Sequence, residues 1–396
     1  WSELENENLQ IQKINEDLER IHQWSCKWRL DFAPHKCLRI RFSRKRAHSL
    51  VGKSKEEIQI ISELCLGDLL LGGVIVKPAY DNDTGSYCLK LLGLKIDADL
   101  RYTTHFEGKL KLFRHELGFM KRLCGRTHTT VRREMLKAVY RSLILPRILY
   151  ASEIWTHGVT GRQRKKMARL HYEAVRLIIG ARHGTHEFSC LVESQMMPFA
   201  SILNWINVKF VSKIMALPQN NRLRTLLLEI RNTRSWNNNW RMFRTNINLL
   251  WRFEENIEIR QHFAKPAFKE HSRRFLEKEL NIMWQNMQPK RGKLWPPGEK
   301  MRVIHREWFS GVRIFGAGTV AERARVQLKL GWDFLNHTQA RYRLGSDLCE
   351  FCKQRETRQH FLFDCRRFLF QRASMLSDLA DLGVTEPTVE CLLTGV

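Results

Sequence analysis

Cys349-Glu350-Phe351-Cys352-Lys353-Gln354-Arg355-Glu356-Thr357-Arg358-Gln359-His360-Phe361-Leu362-Phe363-Asp364-Cys365 spaces four soft ligands as C-x2-C-x7-H-x4-C. Two thiolates separated by two residues reach one ion from a tight turn, and an imidazole and a third thiolate complete a tetrahedron. Zinc is the metal such a set predicts, in a closed structural role. Chance clustering is the alternative. The other cysteines, Cys26, Cys37, Cys65, Cys88, Cys124, Cys190 and Cys391, stand singly, so the background does not readily supply a cluster. A redox Cys-x-x-Cys needs a βαβ setting. Here the turn runs into polar Arg355-Glu356-Thr357, and the apolar stretch from His360 to Phe363 carries the third ligand. Scattered single cysteines also suit a reducing, intracellular compartment.

Outward from this array, 396 residues at 43% hydrophobic content are enough for two or three domains with real cores. The longest apolar candidate for a membrane span, Leu64 to Val76, is short and broken by Gly67 and Asp68. No signal peptide is recognisable, and the reading is of an intracellular protein, nuclear or cytoplasmic, with no membrane partner. The first residue is Trp1 rather than Met, so the sequence is expected to be a fragment.

Charge is the second signal. With 67 Lys and Arg against 41 Asp and Glu, the chain carries +26. Between Arg101 and Cys190 stand 19 basic and 6 acidic residues, half of the whole excess. A solvated surface would be served by mixed signs. A concentrated excess of one sign points to a polyanion, because each phosphate neutralised releases condensed counterions.

Along the chain, Leu4, Ile11, Ile14, Leu18, Ile21 and Trp28 recur at helical spacing and predict one amphipathic helix. Leu38, Ile40 and Phe42 then alternate with Arg39, Arg41 and Ser43, which predicts a strand with an apolar face buried and a basic face outward. Arg44 and Lys45 continue that basic face into a loop. Glycines and β-branched residues from Leu64 to Asp97 read as short strands, so the N-terminal portion is α+β. From about His105 the period turns helical. Thr129 or Thr130 is a candidate cap for a helix containing Met135, Leu136, Val139 and Tyr140 and ending near Pro146. A further helix starts near Thr160 and opens with Arg162, Arg164, Lys165, Lys166 and Arg169. Trp236, Trp240, Trp251, Trp284, Trp295 and Trp308 are interleaved with arginines. Helical core and base-stacking both remain open for them.

Gly316-x-Gly318-x-x-Ala321 imitates a dinucleotide fingerprint, but alternating βαβ units and a following acidic strand end are missing. There is no GxxxxGK loop, no GxSxG elbow and no Asp-Asp pair. Metal-dependent polymerase chemistry therefore lacks an obvious carboxylate pair in this sequence.

Four stretches, in order, resemble the C-terminal half of a jockey-like non-LTR retrotransposon reverse transcriptase. They are Ile21-His22-Gln23-Trp24-Ser25 through Trp28, Leu30 and Phe32 to Cys37 with Phe42-Ser43-Arg44-Lys45; Leu89 to Asp97; Leu145-Pro146 through Tyr150 to Trp155; and the Cys349 to Cys365 array. The resemblance implies the end of a polymerase palm over 1–98, a helical thumb over 99–200 and a helical connector over 201–320. A CCHC zinc-binding module over 321–375 and a short tail over 376–396 follow. The YADD loop of that family would lie upstream of Trp1, and Ala33 stands where the family usually has Asn.

On this resemblance the chain is part of an RNA-directed DNA polymerase that holds an RNA template and a DNA primer or target DNA without making DNA itself. Lys36 would be a general acid toward departing pyrophosphate. Gly93 would sit at the turn of the hairpin that grips the primer end. Arg39, Arg41, Arg44, Lys45, Arg162, Arg164, Lys165, Lys166 and Arg169 would contact nucleic acid. Zn2+ would be structural, and Mg2+ would enter only in a full-length parent polymerase. A host protein that reuses such a remnant as a non-enzymatic nucleic-acid-binding or interaction module is the alternative.

Overall fold

The computed structural model describes residues 2–30, 32–33, 36–40, 42, 68–81, 86–124, 133–156, 158–194, 196–215, 217–232, 320–331, 333–340 and 345–394. Arg41, Arg44, Lys45, the caps at Thr129 and Thr130, the six tryptophans from Trp236 to Trp308 and the Gly316-Gly318 loop lie outside them. The described residues are mostly helical with few strands. Among them, no helix is long and apolar enough to cross a membrane. They group into two compact units, one drawn from 1–110, 151–161 and 217–253 and the other from 111–150, 162–216 and 254–396.

The first unit opens with helix α1 (Ser2–Lys27). One of its faces, bearing Ile11, Asn15, Leu18, His22 and Ser25, is partly or fully covered. The Asn15 amide staples that face to the next element, donating to Asp68 O at 3.0 Å and accepting from Leu70 N at 3.0 Å. Ile14, Ile21, Trp24 and Trp28 remain exposed. The helix forms where its spacing predicts one, but Ile14, Ile21 and Trp28 lie off the covered face, which polar Asn15 helps to dock.

Among the described residues short strands follow: β1 (Leu38–Arg39), β2 (Leu70–Leu71), β3 (Val74–Ile75), β4 (Lys77–Pro78), β5 (Tyr80–Asp81), β6 (Ser86–Leu91) and β7 (Leu94–Asp97). β1 pairs with β4 in parallel, β2 with β3 antiparallel, and β5-β6-β7 form an antiparallel meander. The β1 expectation is corrected on its faces. Arg39 is 9% exposed, whereas Leu38 and Phe42 lie open to solvent. Alternation separates two faces but does not say which one is covered, and a one-residue change of register exchanges them. Arg39 is thereby withdrawn from an outward basic face.

At the β6–β7 turn Leu92 and Gly93 both have positive φ, 48° and 84°. That is the pattern of a two-residue hairpin loop whose twist suits its strands, and it explains the glycine. Leu92 is 85% exposed at the tip.

Helix α2 (Thr103–Cys124) leads into the second unit. Then come α3 (Arg133–Val139), a π-helical turn over Tyr140–Ile144, α4 (Leu145–Leu149), α5 (Ser152–Trp155), α6 (Gly161–Ile179), α7 (Glu187–Ser194), α8 (Phe199–Met215) and α9 (Arg222–Asn232), of which α5 and α9 belong to the first unit. Pro146 does not end the helix, contrary to the sequence reading. It sits in the first turn of α4, where its missing N–H is not needed, and Leu145 N bonds to Tyr140 O across the π turn. The chain leaves helical geometry at Tyr150, and Ala151 takes a left-handed φ of 54°. The C-terminal part holds α10 (Val320–Leu330), α11 (Asn336–Ala340), α12 (Leu369–Asp381) and α13 (Val389–Thr394).

Contacts cross the expected segment boundaries at 200 and 320. Gln327 Nε2 donates to Gly180 O at 3.1 Å, and Arg182 Nη1 donates to Asp333 O at 3.0 Å. Lys329 Nζ lies 3.1 Å from Glu193 Oε2, with side chains 5% and 3% exposed. The C-terminal module is therefore keyed to the helices before it by polar contacts, of which the Lys329–Glu193 pair is shielded from water.

Candidate metal centre and basic helix

The metal-ligand turn is a small antiparallel hairpin. Leu348 bridges Arg355, Cys349 N donates to Gln354 O at 2.7 Å, and Lys353 N donates to Cys349 O at 2.9 Å. Lys353 takes a left-handed φ of 59°, which lets the chain reverse directly behind Cys352. The second ligand pair comes from a π-helical turn, His360–Asp364, closed by Cys365 N donating to His360 O at 2.7 Å. Thr357 Oγ1 accepts from His360 N at 3.1 Å and starts that turn. Arg372 pins its far end by donating to Leu362 O at 2.9 Å and Cys365 O at 2.6 Å.

These turns bring Cys349, Cys352, His360 and Cys365 together with all four ligand atoms within 4.8 Å of one another, a cluster that could hold a metal ion. Cys365 Sγ lies 3.9 Å from Cys349 Sγ and 3.7 Å from Cys352 Sγ, too far for a disulfide. Cys349, His360 and Cys365 are buried. His360 Nε2 is shielded from water and has no hydrogen-bond partner among the described residues. A buried imidazole nitrogen left so is costly unless something else engages it, which is the condition of a ligand prepared for an ion. Burial pushes the Cys349 thiol up. The Cys352 N–H, the His360 side chain, the Phe351 N–H and Cys365 together outweigh it and hold the thiol down at about 7. Burial raises Cys365, and the neighbouring Cys352 and Cys349 thiols add to that rise against the Arg367 N–H.

The module has its own packing. Leu328, Leu335 and Leu393 form a core against which Phe361 and Val389 lie. Phe361 meets Phe334 and Phe368 edge to face, with centroids 5.5 and 5.0 Å apart. Buried Asp333 gathers the loop between the ligand pairs by accepting from Arg358 Nε at 3.1 Å and Leu335 N at 3.2 Å. Glu356 Oε2 caps α11 through Asn336 N at 2.7 Å.

Helix α6 starts where the sequence placed a helix, near Thr160, and the structure shows it to be amphipathic. Met167, His171, Ala174, Val175, Ile178 and Ile179 are buried. His171 Nδ1 accepts from Tyr140 OH at 2.7 Å while Nε2–H donates to Met197 O at 2.8 Å. Burial lowers the imidazole to about 4, so it is neutral and able to do both. On the opposite side Arg162, Lys165, Lys166 and Arg169 are exposed along one stripe. Arg164 belongs elsewhere, half-buried on the far side of the helix, and burial lowers its guanidinium pKa. The Lys121 ammonium lies 2.6 Å from Glu173 Oε1, fastening α2 to α6.

No protein-family model, curated protein or solved structure matches this chain. Its site readings therefore rest on its own residues.

The sequence reading passed over one set of cations. Lys111, Arg114 and Arg122 are exposed on α2 at spacings that share a face with Gly118, a signal available in the sequence. Lys36 is exposed in a short 3₁₀ turn, with its N–H bonded to Ala33 O at 2.9 Å.

Proposed function

We propose that the chain is the nucleic-acid-holding C-terminal part of an RNA-directed DNA polymerase of the non-LTR retrotransposon kind. The observation that carries this is the stripe of Arg162, Lys165, Lys166 and Arg169 on α6, whose opposite face is locked by buried apolar side chains and the Tyr140–His171–Met197 bonds. At 1.5 Å per residue the stripe runs about 10 Å, the axial length of about three successive phosphates on one strand. Cations on a rigid helix hold a backbone without reading sequence, which is what a template-primer duplex asks of its polymerase. Lys111, Arg114 and Arg122 extend the same chemistry on α2. The order of elements supports the reading: helix, strand, hairpin with Gly93 at its tip, basic helices, Cys/His cluster.

The metal of the cluster is zinc in this reading. Tetrahedral Zn–S bonds of about 2.3 Å place sulfurs about 3.8 Å apart. The sulfur distances of 3.7 and 3.9 Å bracket that value. Three cysteines and a histidine complete the coordination and leave no position for a reactive water, so the ion acts as a structural staple.

The reading is tested with the purified chain on a short RNA–DNA duplex in graded salt, and in parallel on a primed RNA template with nucleotides and Mg2+. Salt-sensitive duplex binding without nucleotide incorporation is the expected result. Failure to bind at low salt removes the proposal, and incorporation removes the assignment of catalysis to carboxylates outside this chain.

A further inference from the structure

Phe351, like the more exposed Phe370, stands outside the aromatic packing of its module. Phe334, Phe361 and Phe368 pack edge to face, whereas Phe351, between the two cysteines of the turn, is 63% exposed. The backbone beneath it is firmly tied. Cys349 N to Gln354 O, Lys353 N to Cys349 O and Glu356 N to Asp347 O close the turn on both sides at 2.7 to 2.9 Å. A flat apolar ring is thus held out to solvent on a support whose conformational freedom is already restricted, which favours binding over folding as its purpose.

Cations follow the cysteines on both segments. Lys353 follows Cys352, and Arg366 and Arg367 follow Cys365, whose sulfur lies 3.7 Å from that of Cys352, so both segments border one point. All three side chains are exposed. Arg355 is engaged with Asp347 at 2.8 Å, Arg358 with Asp333 at 3.1 Å and Arg372 with two carbonyls, while the Arg367 guanidinium lies 5.7 Å from the centroid of the Phe368 ring. No carboxylate pairs with Lys353 or Arg366 among the described residues. Glu350 and Asp364 are exposed nearby and moderate the charge. The local excess is too small for a long duplex track. It suits a ligand that offers a flat face together with one or two phosphates.

Resting on the nucleic-acid reading above, we propose that Phe351, with Lys353, Arg366 and Arg367, forms a stacking site for an unpaired nucleotide of single-stranded RNA or DNA. An unpaired base exposes the π-face that a paired base keeps inside its stack, and its own phosphates meet the cations. Leu348, Leu369 and Phe370 of the module are exposed as well, so association through an apolar surface is an outcome the test distinguishes.

The test uses the zinc-loaded full chain, with a short single-stranded RNA, the DNA of the same sequence and their duplex as separate probes in fluorescence anisotropy. Phe351→Ala should weaken single-strand binding by about tenfold or more and leave duplex binding unchanged, while Phe351→Trp should restore it. Elemental analysis confirms that each variant keeps its metal. Loss on both strands assigns base and phosphate recognition, and loss on RNA alone adds the 2′-hydroxyl. A zinc-loaded Phe351→Ala chain with unchanged single-strand affinity overturns this site and leaves the duplex reading standing. The same holds if that variant alters only self-association, which would give the surface to a second copy. A wild-type chain that binds neither single strand nor duplex overturns both.

Discussion

Replacing Glu193 by Gln should destabilise the helical unit far more than its single lost charge would at a surface. Glu193 on α7 and Lys329 on α10 form an ion pair at 3.1 Å with side chains 3% and 5% exposed, and the Lys329 ammonium has no hydrogen-bond partner among the described residues. A surface pair of this kind contributes at most about 1 kcal/mol. Here the variant leaves an ammonium shielded from water with no countercharge, which costs about 3–5 kcal/mol. For a unit of this size that corresponds to a fall in melting midpoint of about 6–20 °C. The double variant Glu193→Leu with Lys329→Met removes both charges and should return to within about 1 kcal/mol of the parent. Thermal and urea unfolding of the three proteins, followed by far-UV circular dichroism, measures the cycle. If Glu193→Gln shifts stability by less than about 0.5 kcal/mol, the pair is solvated and the keying of the C-terminal module onto α7 is wrong.

Three further outcomes follow from the geometry. Purified protein should carry about one zinc per chain, and Cys352→Ser should lose it and become protease-sensitive across 345–372 while α2 to α8 stay protected, because small metal modules draw much of their folding free energy from the ion. Acid should destabilise the fold between pH 6.5 and about 4, since burial lowers His171 and burial with Lys109 and Lys95 lowers His105, each to about 4. A base whose folded pKa is depressed contributes stability above its unfolded pKa and loses it as pH falls; for His171 the loss is on the order of 3 kcal/mol, and His171→Gln should flatten that part of a pH-dependent unfolding curve. Gly158→Ala should cost about 1–3 kcal/mol in denaturant unfolding, because the new methyl would meet Arg101 O at 2.6 Å, and an unchanged midpoint would rule out that close approach.

What was legible in the sequence was local. The cysteine spacing carries its own geometry, so the cluster of Cys349, Cys352, His360 and Cys365 could be read before any fold was known. The helix near Thr160 and its cations were legible too, but the burial of Met167 and His171 opposite Arg162 and Arg169 emerged only in the structure. Arg164 was misassigned because a run of cations in sequence hides the 100° turned at each residue. The β1 strand failed differently. Alternation defines two faces, and only pairing with β4 determined that Arg39 is covered while Leu38 is not. The Glu193–Lys329 pair and the Asp333 contacts join residues far apart in the chain, and no local pattern announces them. Phe351 was visible as a letter, but its exposure beside packed Phe361 and Phe368 belongs to the three-dimensional arrangement.

The central claim is that the α6 stripe holds phosphates, and the salt dependence of duplex binding tests it most directly. Changing Arg162, Lys165, Lys166 and Arg169 together to Gln leaves the buried face of the helix untouched, so fold and zinc content should not change. Each phosphate contact contributes about 0.9 to the slope of log affinity against log salt. The variant should therefore show a slope shallower by about 3 to 4 on an RNA–DNA duplex, with weaker binding at low salt and convergence with the parent at high salt. A folded, zinc-loaded variant with the parent's slope would contradict the account.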